Sequence, residues 1–344
     1  MKGLTRRNFL KAAGAGCGAL AVAGPGSLAW GKGPTYTGVS YITPTYPCIL
    51  TGQKEFARML SEKGAEEFEA TFFDSATLLK EDEQLAGMRA GTAQYMFHTT
   101  SYITRSAKAL GLTGLPVICE ELWKNKHLAM ESPLWKHLND RLVNDDLFML
   151  SVGSRNFEPE FIWSRKEKRL GRLDDLKGKR IRIVSYEATE LMKNFGVSGV
   201  RIPSSETYIA LQRGTVDGMI CTVSTCVGRK LEEQVNVCYQ LPCTGFSVGV
   251  FMLRSFWDKL PDKHRAAFWE CGQHFDKTYG DDVNDHWFKG VYWPRLEKEG
   301  MEIIAPAEND YKRLREVGVP LWDWWKKDVG EEWGQKAIDL VINA

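Results

Sequence analysis

The run Arg180-Ile181-Arg182-Ile183-Val184 places two guanidinium groups at alternate positions of a short apolar stretch. Strict alternation marks a strand with one buried face. Ile181 and Ile183 then face a core, and Arg180, Arg182 and Val184 face the other side. A guanidinium is planar, always charged, and able to give two parallel hydrogen bonds to one carboxylate. The alternation is a reason to expect Arg182 at a cleft edge, where such a fork can meet an anion. The competing reading is a surface arginine paired with a neighbour such as Asp217.

Little else in the chain has the spacing of a reactive site. The motifs G-x-S-x-G, G-x-x-x-x-G-K-[ST], H-E-x-x-H and G-x-G-x-x-G do not occur. The histidines are scattered (98, 127, 137, 264, 274 and 286), and acidic pairs such as Glu66-Glu67 read as solvated faces. No catalytic residue, metal site or cofactor is expected, and the chain reads as a binding protein, not an enzyme.

Lys+Arg and Asp+Glu nearly balance, 45 against 44. That balance excludes a nonspecific nucleic-acid binder. The N-terminus carries Thr5-Arg6-Arg7-Asn8-Phe9-Leu10-Lys11, then a small-residue apolar run, then Ser27-Leu28-Ala29. This is the pattern of a twin-arginine (Tat) signal peptide over 1–29. Its removal takes four basic residues and no acids, which leaves a net charge of −3. The remaining chain is expected in the periplasm. Cys48, Cys119, Cys221, Cys226, Cys238, Cys243 and Cys271 then remain, an odd number that cannot all pair internally. Most read as small buried thiols, with a Cys238–Cys243 bridge left open by spacing alone.

The elements that would position Arg182 alternate in type. Strands are expected near Phe68–Phe73, Gln94–His98, Leu147–Val152, Phe161–Ser164, Arg180–Val184, Asp217–Val223 and Phe246–Leu253. Leu115–Ile118 and Val200–Ile202 read as short extended pieces. Helices are expected over Glu55–Lys63, Glu81–Ala90, within Leu122–Leu142, over Glu187–Asn194, from a Ser204 cap to Arg213, over Pro261–Lys289, and beyond Asp310. The pattern is α/β, with a largely parallel sheet. It restarts midway, which implies two lobes.

Two further stretches carry a resemblance. Leu173-Asp-Asp-Leu-Lys-Gly-Lys-Arg-Ile-Arg182-Ile is followed by Pro203-Ser-Ser-Glu-Thr-Tyr-Ile-Ala-Leu-Gln-Arg-Gly-Thr-Val-Asp217-Gly218. They resemble the D-L-K-G-x-K-I-R-V and P-x-x-E-x-Y-x-A-L-Q-x-G-x-V-D-G patterns of DctP-type solute-binding proteins. These belong to tripartite ATP-independent periplasmic (TRAP) transporters. Gly64 to Phe73, Leu78-Leu79, Gly91 before the Tyr95 strand and Leu115-Pro116 agree more loosely. The resemblance implies a two-lobed periplasmic solute-binding fold with a ligand cleft between the lobes and a long helix spanning both. It places lobe I at 33–158 plus 247–287, and lobe II at 159–246 plus 288–344. It further implies that lobes close on the ligand and deliver it to small and large membrane permease subunits.

Arg182 matches the family's carboxylate clamp. Cys221 takes the place of an asparagine that the family often carries after Asp-Gly. A second family arginine has no clean match, since Ile162 or Trp163 falls there. Both departures make the expected pocket more apolar. Loop positions after strands add Tyr41, Thr99, Thr100, Ser101 and Thr222 as contacts, and Trp163, Tyr208 and Phe246 are aromatic candidates. One clamp implies an organic acid anion, a monocarboxylate or sulfonate. The 12 tryptophans suit an aryl or indolyl body, and an aliphatic 2-oxo or 2-hydroxy acid is the competing ligand. An exported redox subunit and a ligand-presenting sensory subunit are the alternative functions.

Overall fold

A computed structural model describes residues 33–343. The signal-peptide reading of 1–29 lies outside these residues. Two sheets organise the chain, and each is mixed rather than largely parallel. The first has the order β2-β1-β3-β10-β4, built from β1 (Thr35–Ser40), β2 (Glu69–Phe73), β3 (Tyr95–Thr99), β4 (Leu147–Ser151) and β10 (Val248–Leu253). Strand β1 runs parallel to β2 and β3, whereas β10 is antiparallel to β3 and β4. The second has the order β11-β9-β5-β8-β6-β7. Its strands are β5 (Glu160–Ser164), β6 (Arg180–Ile183), β7 (Ser198–Arg201), β8 (Gly218–Cys221), β9 (Val237–Thr244) and β11 (Glu302–Ile304). Here β5 is antiparallel to β8 and β9, and β6 is parallel to β7 and β8.

The antiparallel strands arise because the chain changes sheets. Residues 152–159 carry it from β4 to β5, and residues 245–247 carry it back from β9 to β10. Each return enters the new sheet from the opposite end, so it pairs antiparallel. The helix Asp262–Asp281 packs on the helix Pro47–Gly64 and on β4. It continues through a π-helical stretch, Asp282–Tyr292, into the helix Trp293–Lys298, where Trp293 stacks on Trp163 of β5 at 5.6 Å. One helical run thus touches both lobes. The C-terminal helices form a fourth link. Glu308–Gly318 packs on β9, while Glu331–Ile342 packs on the helices Ile118–Lys124 and Pro133–Leu142 of the first lobe. The boundary expectation had put all of 288–344 with the second lobe.

Local chemistry explains the individual elements. In Pro47–Gly64 the buried residues Ile49, Gln53, Phe56 and Leu60 recur at helical spacing, and proline opens the first turn. Ser185 caps the helix Tyr186–Lys193 by accepting from the Ala188 N–H at 3.0 Å. Gly218 is required by close approach: a Cβ there would lie 2.6 Å from the Trp163 carbonyl. Two local expectations fail. Ser204 caps no α-helix, because Ser204–Glu206 forms a 3-10 turn and Thr207–Gln212 follows it. Leu115–Ile118 is no strand: a 3-10 turn ends at Gly114, Pro116 keeps Leu115 extended, and Ile118 opens a helix.

The seven cysteines of the described residues are all buried and unpaired. A Cys238–Cys243 bridge is excluded by geometry. Both lie on β9, and five residues of strand span about 16 Å at roughly 3.3 Å each, beyond disulfide reach.

Candidate binding cleft

The carboxyl ends of β1, β3 and β6 and the start of β5 converge where the two sheets face each other. Tyr41, Tyr46, Thr99, Ser101 and Tyr102 contribute from the first lobe, and Glu160, Arg182, Val184, Ser204 and Thr225 from the second. Phe246 comes from the crossing segment and Val248 from β10. The enclosed free volume is about 20 Å³, room for about one water. An organic acid therefore enters only if the lobes part.

The lobes meet through direct bonds. The Ser204 N–H donates to the Tyr102 hydroxyl at 3.0 Å. Ser205 Oγ donates to Glu81 Oε1 at 2.7 Å, and Thr45 Oγ1 donates to the Gly228 carbonyl at 2.6 Å. The arrangement is a closed one.

Arg182 is 1% exposed. Its Nε donates to the Ile202 carbonyl at 2.9 Å, and a terminal nitrogen donates to the Ile220 carbonyl at 3.2 Å. Both partners are backbone, and Arg182 has no carboxylate within 4.0 Å among the described residues. Asp217, the partner of the competing reading, bonds Arg180 and Lys168 instead. Burial opposes ionisation of Asp217, but the hydrogen bonds from Lys168 and Arg180 hold it well below the usual carboxylate range.

Glu160 shares the cavity with Arg182 and is 5% exposed. Burial pushes its carboxyl up to about 7, against the pull of Arg182. Around these two charges stands a neutral wall. Tyr41 bonds Thr99 through their hydroxyls. His98 lies edge-on to Tyr41 and stacked on Tyr102, and burial holds it down to about 3. Arg229 sits 5.2 Å from the Tyr46 ring and donates to Ser204 Oγ at 3.4 Å. It is a second cation at the cleft's margin.

Of the expected contacts, the structure brings together Arg182, Tyr41, Thr99, Ser101 and Phe246. The other five point elsewhere. Trp163 is buried against Trp293, with its indole N–H on the Cys221 carbonyl at 2.8 Å. Cys221 is itself fully buried. Thr222 caps the helix Val223–Gly228. Thr100 binds Thr113 and the Ser247 N–H. Tyr208 donates to Glu233 at 2.8 Å, outside the cleft. Sequence reasoning missed Glu160, Tyr102, Ser204 and Thr225. For Glu160 a signal existed: one acid opening the otherwise apolar run Phe161-Ile162-Trp163. Among the described residues no cluster of three or more His, Cys, Asp or Glu could hold a metal ion.

Residues 39–328 match the family model for DctP, bacterial extracellular solute-binding protein, family 7. The chain belongs to this family. A solute-binding protein of Albidiferax ferrireducens is 25% identical over 274 residues, 74% of each chain. Among solved structures, the Bordetella pertussis extracytoplasmic solute receptor DctP7, which binds pyroglutamic acid, has a TM-score of 0.76 at 20% identity. It covers 89% of this chain and 99% of its own. A TRAP periplasmic solute-binding protein of Sulfurospirillum deleyianum with bound succinate has a TM-score of 0.75 at 19% identity, covering 90% and 99%. The two-lobed fold expected for a DctP-type TRAP solute-binding protein is thus the fold observed. No helix of the described residues is long and apolar enough to cross a membrane.

Proposed function

We propose that this family 7 protein is the periplasmic receptor of a TRAP transporter. It captures an organic acid anion by lobe closure and presents it to the membrane permease subunits. The observation that carries the reading is Arg182, a buried cation at the cleft with no carboxylate partner within 4.0 Å among the described residues. A buried charge left unpaired is costly, and an anion arriving between the lobes supplies the missing partner. Solved relatives of the same fold bind pyroglutamate and succinate, which supports the ligand class. Export through the twin-arginine route, read from Arg6-Arg7, belongs to the same proposal.

Tryptophan content gives no support for an aryl or indolyl acid, since no described tryptophan lines the cavity; Tyr41, Tyr46, Tyr102 and Phe246 are the aromatic residues that do. A thermal-shift screen of the chain from residue 30 onward against organic acids tests the proposal. Ligand at a hundred times its dissociation constant adds about 2.7 kcal/mol, a shift of a few degrees. Hits confined to organic acids support it. Hits confined to cations or neutral sugars overturn it.

A further inference from the structure

We infer that Glu160 determines specificity in the cleft, and that the solute carries a hydrogen-bond donor close to its carboxylate. This inference rests on the organic-acid reading above. The donor would be a hydroxyl, a lactam or amide N–H, or an ammonium group.

Arg182 and Glu160 are opposite charges, both buried and both lining one small cavity. Left to themselves, two such groups would pair. They do not come within 4.0 Å of each other. Arg182 is held back by the carbonyls of Ile202 and Ile220, on two different segments. Glu160 is held at the first residue of β5, opposite Thr244 of β9, where the register of that pair shifts before Ile162. A bulge of this kind re-aims a side chain. No described residue donates a side-chain hydrogen bond to the Glu160 carboxylate, although it is almost wholly buried. Its oxygens open on the cavity, and a ligand that fills the cavity without offering a donor leaves them unsatisfied at a cost in free energy.

With Glu160 ionised, a plain carboxylate would meet Arg182 and leave Glu160 unsatisfied. It would also bring a second negative charge beside the first, which disfavours binding. A 2-hydroxy acid, a lactam acid or an amino acid gives its carboxylate to Arg182 and its donor to Glu160. The cleft then discriminates by a missing partner, because a ligand without the donor leaves a buried polar group unpaired.

Isothermal titration at pH 8, above the value of about 7 to which burial pushes Glu160, tests this with matched acids. Pyroglutamate is compared with cyclopentanecarboxylate, and lactate with propionate. In the wild type the donor-bearing member of at least one pair should bind roughly 10- to 100-fold tighter. In Glu160→Leu the ratio should fall to about 1, and Glu160→Gln should lie between. A fold defect would weaken both members equally and leave the ratio standing, so the ratio reports recognition. Equal binding of both members by the wild type would overturn the inference while leaving the receptor reading intact. So would a ratio that survives Glu160→Leu. Binding of none of the four, together with no hit among organic acids, would overturn the receptor reading itself.

Discussion

Arg182→Lys keeps the charge and removes the fork. The wild-type guanidinium has five N–H groups. Two go to the carbonyls of Ile202 and Ile220, which leaves three for the cleft. A lysine ammonium has three donors on one nitrogen. If two take over the same carbonyls, one remains for the ligand, and the second ligand bond is lost. A hydrogen bond to a charged group contributes about 1.5–3 kcal/mol. The expected loss of affinity is therefore roughly 10- to 150-fold, with the apo melting temperature little changed. Arg182→Met would be less clean, since it also strands the half-buried Ile202 carbonyl and the buried Ile220 carbonyl, at up to about 1–3 kcal/mol for the buried one. Titration of the best-binding acid into both proteins, with a melting curve for each, is the assay. Affinity of Arg182→Lys within twofold of wild type would refute the clamp. Abolished binding in an Arg229→Gln variant with Arg182→Lys unaffected would move the clamp to Arg229.

Further predictions follow from closure, protonation and burial. A Cβ at Gly228 would lie 2.5 Å from the Tyr46 ring across the cleft. Overpacking of that kind costs about 1–3 kcal/mol, so Gly228→Ala should weaken binding roughly 5- to 150-fold with the apo stability nearly unchanged. Equal affinity by titration would show that the lobes do not close to this geometry. Burial pushes Glu158, Glu160 and Glu187 up to about 7. Their folded forms hold protons that the unfolded chain releases near pH 4.5, so their stabilisation is lost as pH rises through 7. His98, held down to about 3, and His127, lowered by burial, work the opposite way below 6.5, but they are two groups against three. The ligand-free protein should melt at a higher temperature at pH 5.5 than at pH 8, and a flat or rising profile would contradict this. The seven thiols are buried, with Cys221 raised by desolvation above the usual thiol range. A thiol reagent should find almost none in the native chain from residue 30 onward and seven in denaturant; rapid native reaction of even one would contradict the packing.

Alternation told the two faces of the Arg182 strand apart, and the family resemblance of the flanking motifs singled Arg182 out as the clamp. Neither revealed β9. That strand carries Pro242, and proline inside a strand normally argues against the assignment. The structure places Pro242 where the β5–β9 register shifts, so the irregularity that tolerates the proline also turns Glu160 to the cleft. The two surprises share one cause that no local window contains. Trp163 misled for a related reason. Its place near the family's second arginine suggested the cleft, but a tryptophan 130 residues later, Trp293, supplies the partner that buries it. Tyr102 and Ser204 were invisible because each matters only once the other lobe is docked against it.

Strand β10 is the fourth of five in the first sheet, between β3 and β4, yet it is made after nearly the whole second lobe. Until residue 253 leaves the ribosome, β3 and β4 each present an unpaired edge with a gap between them. Such edges invite pairing with other chains. The first lobe cannot finish before the second exists, and the second sheet in turn waits for β11. The unit of folding is therefore the complete chain. A secretion path that threads an unfolded polypeptide would hold those open edges apart from their partner during translocation. A path that accepts only finished proteins, as in the export route proposed above, would let the gap fill before the journey starts.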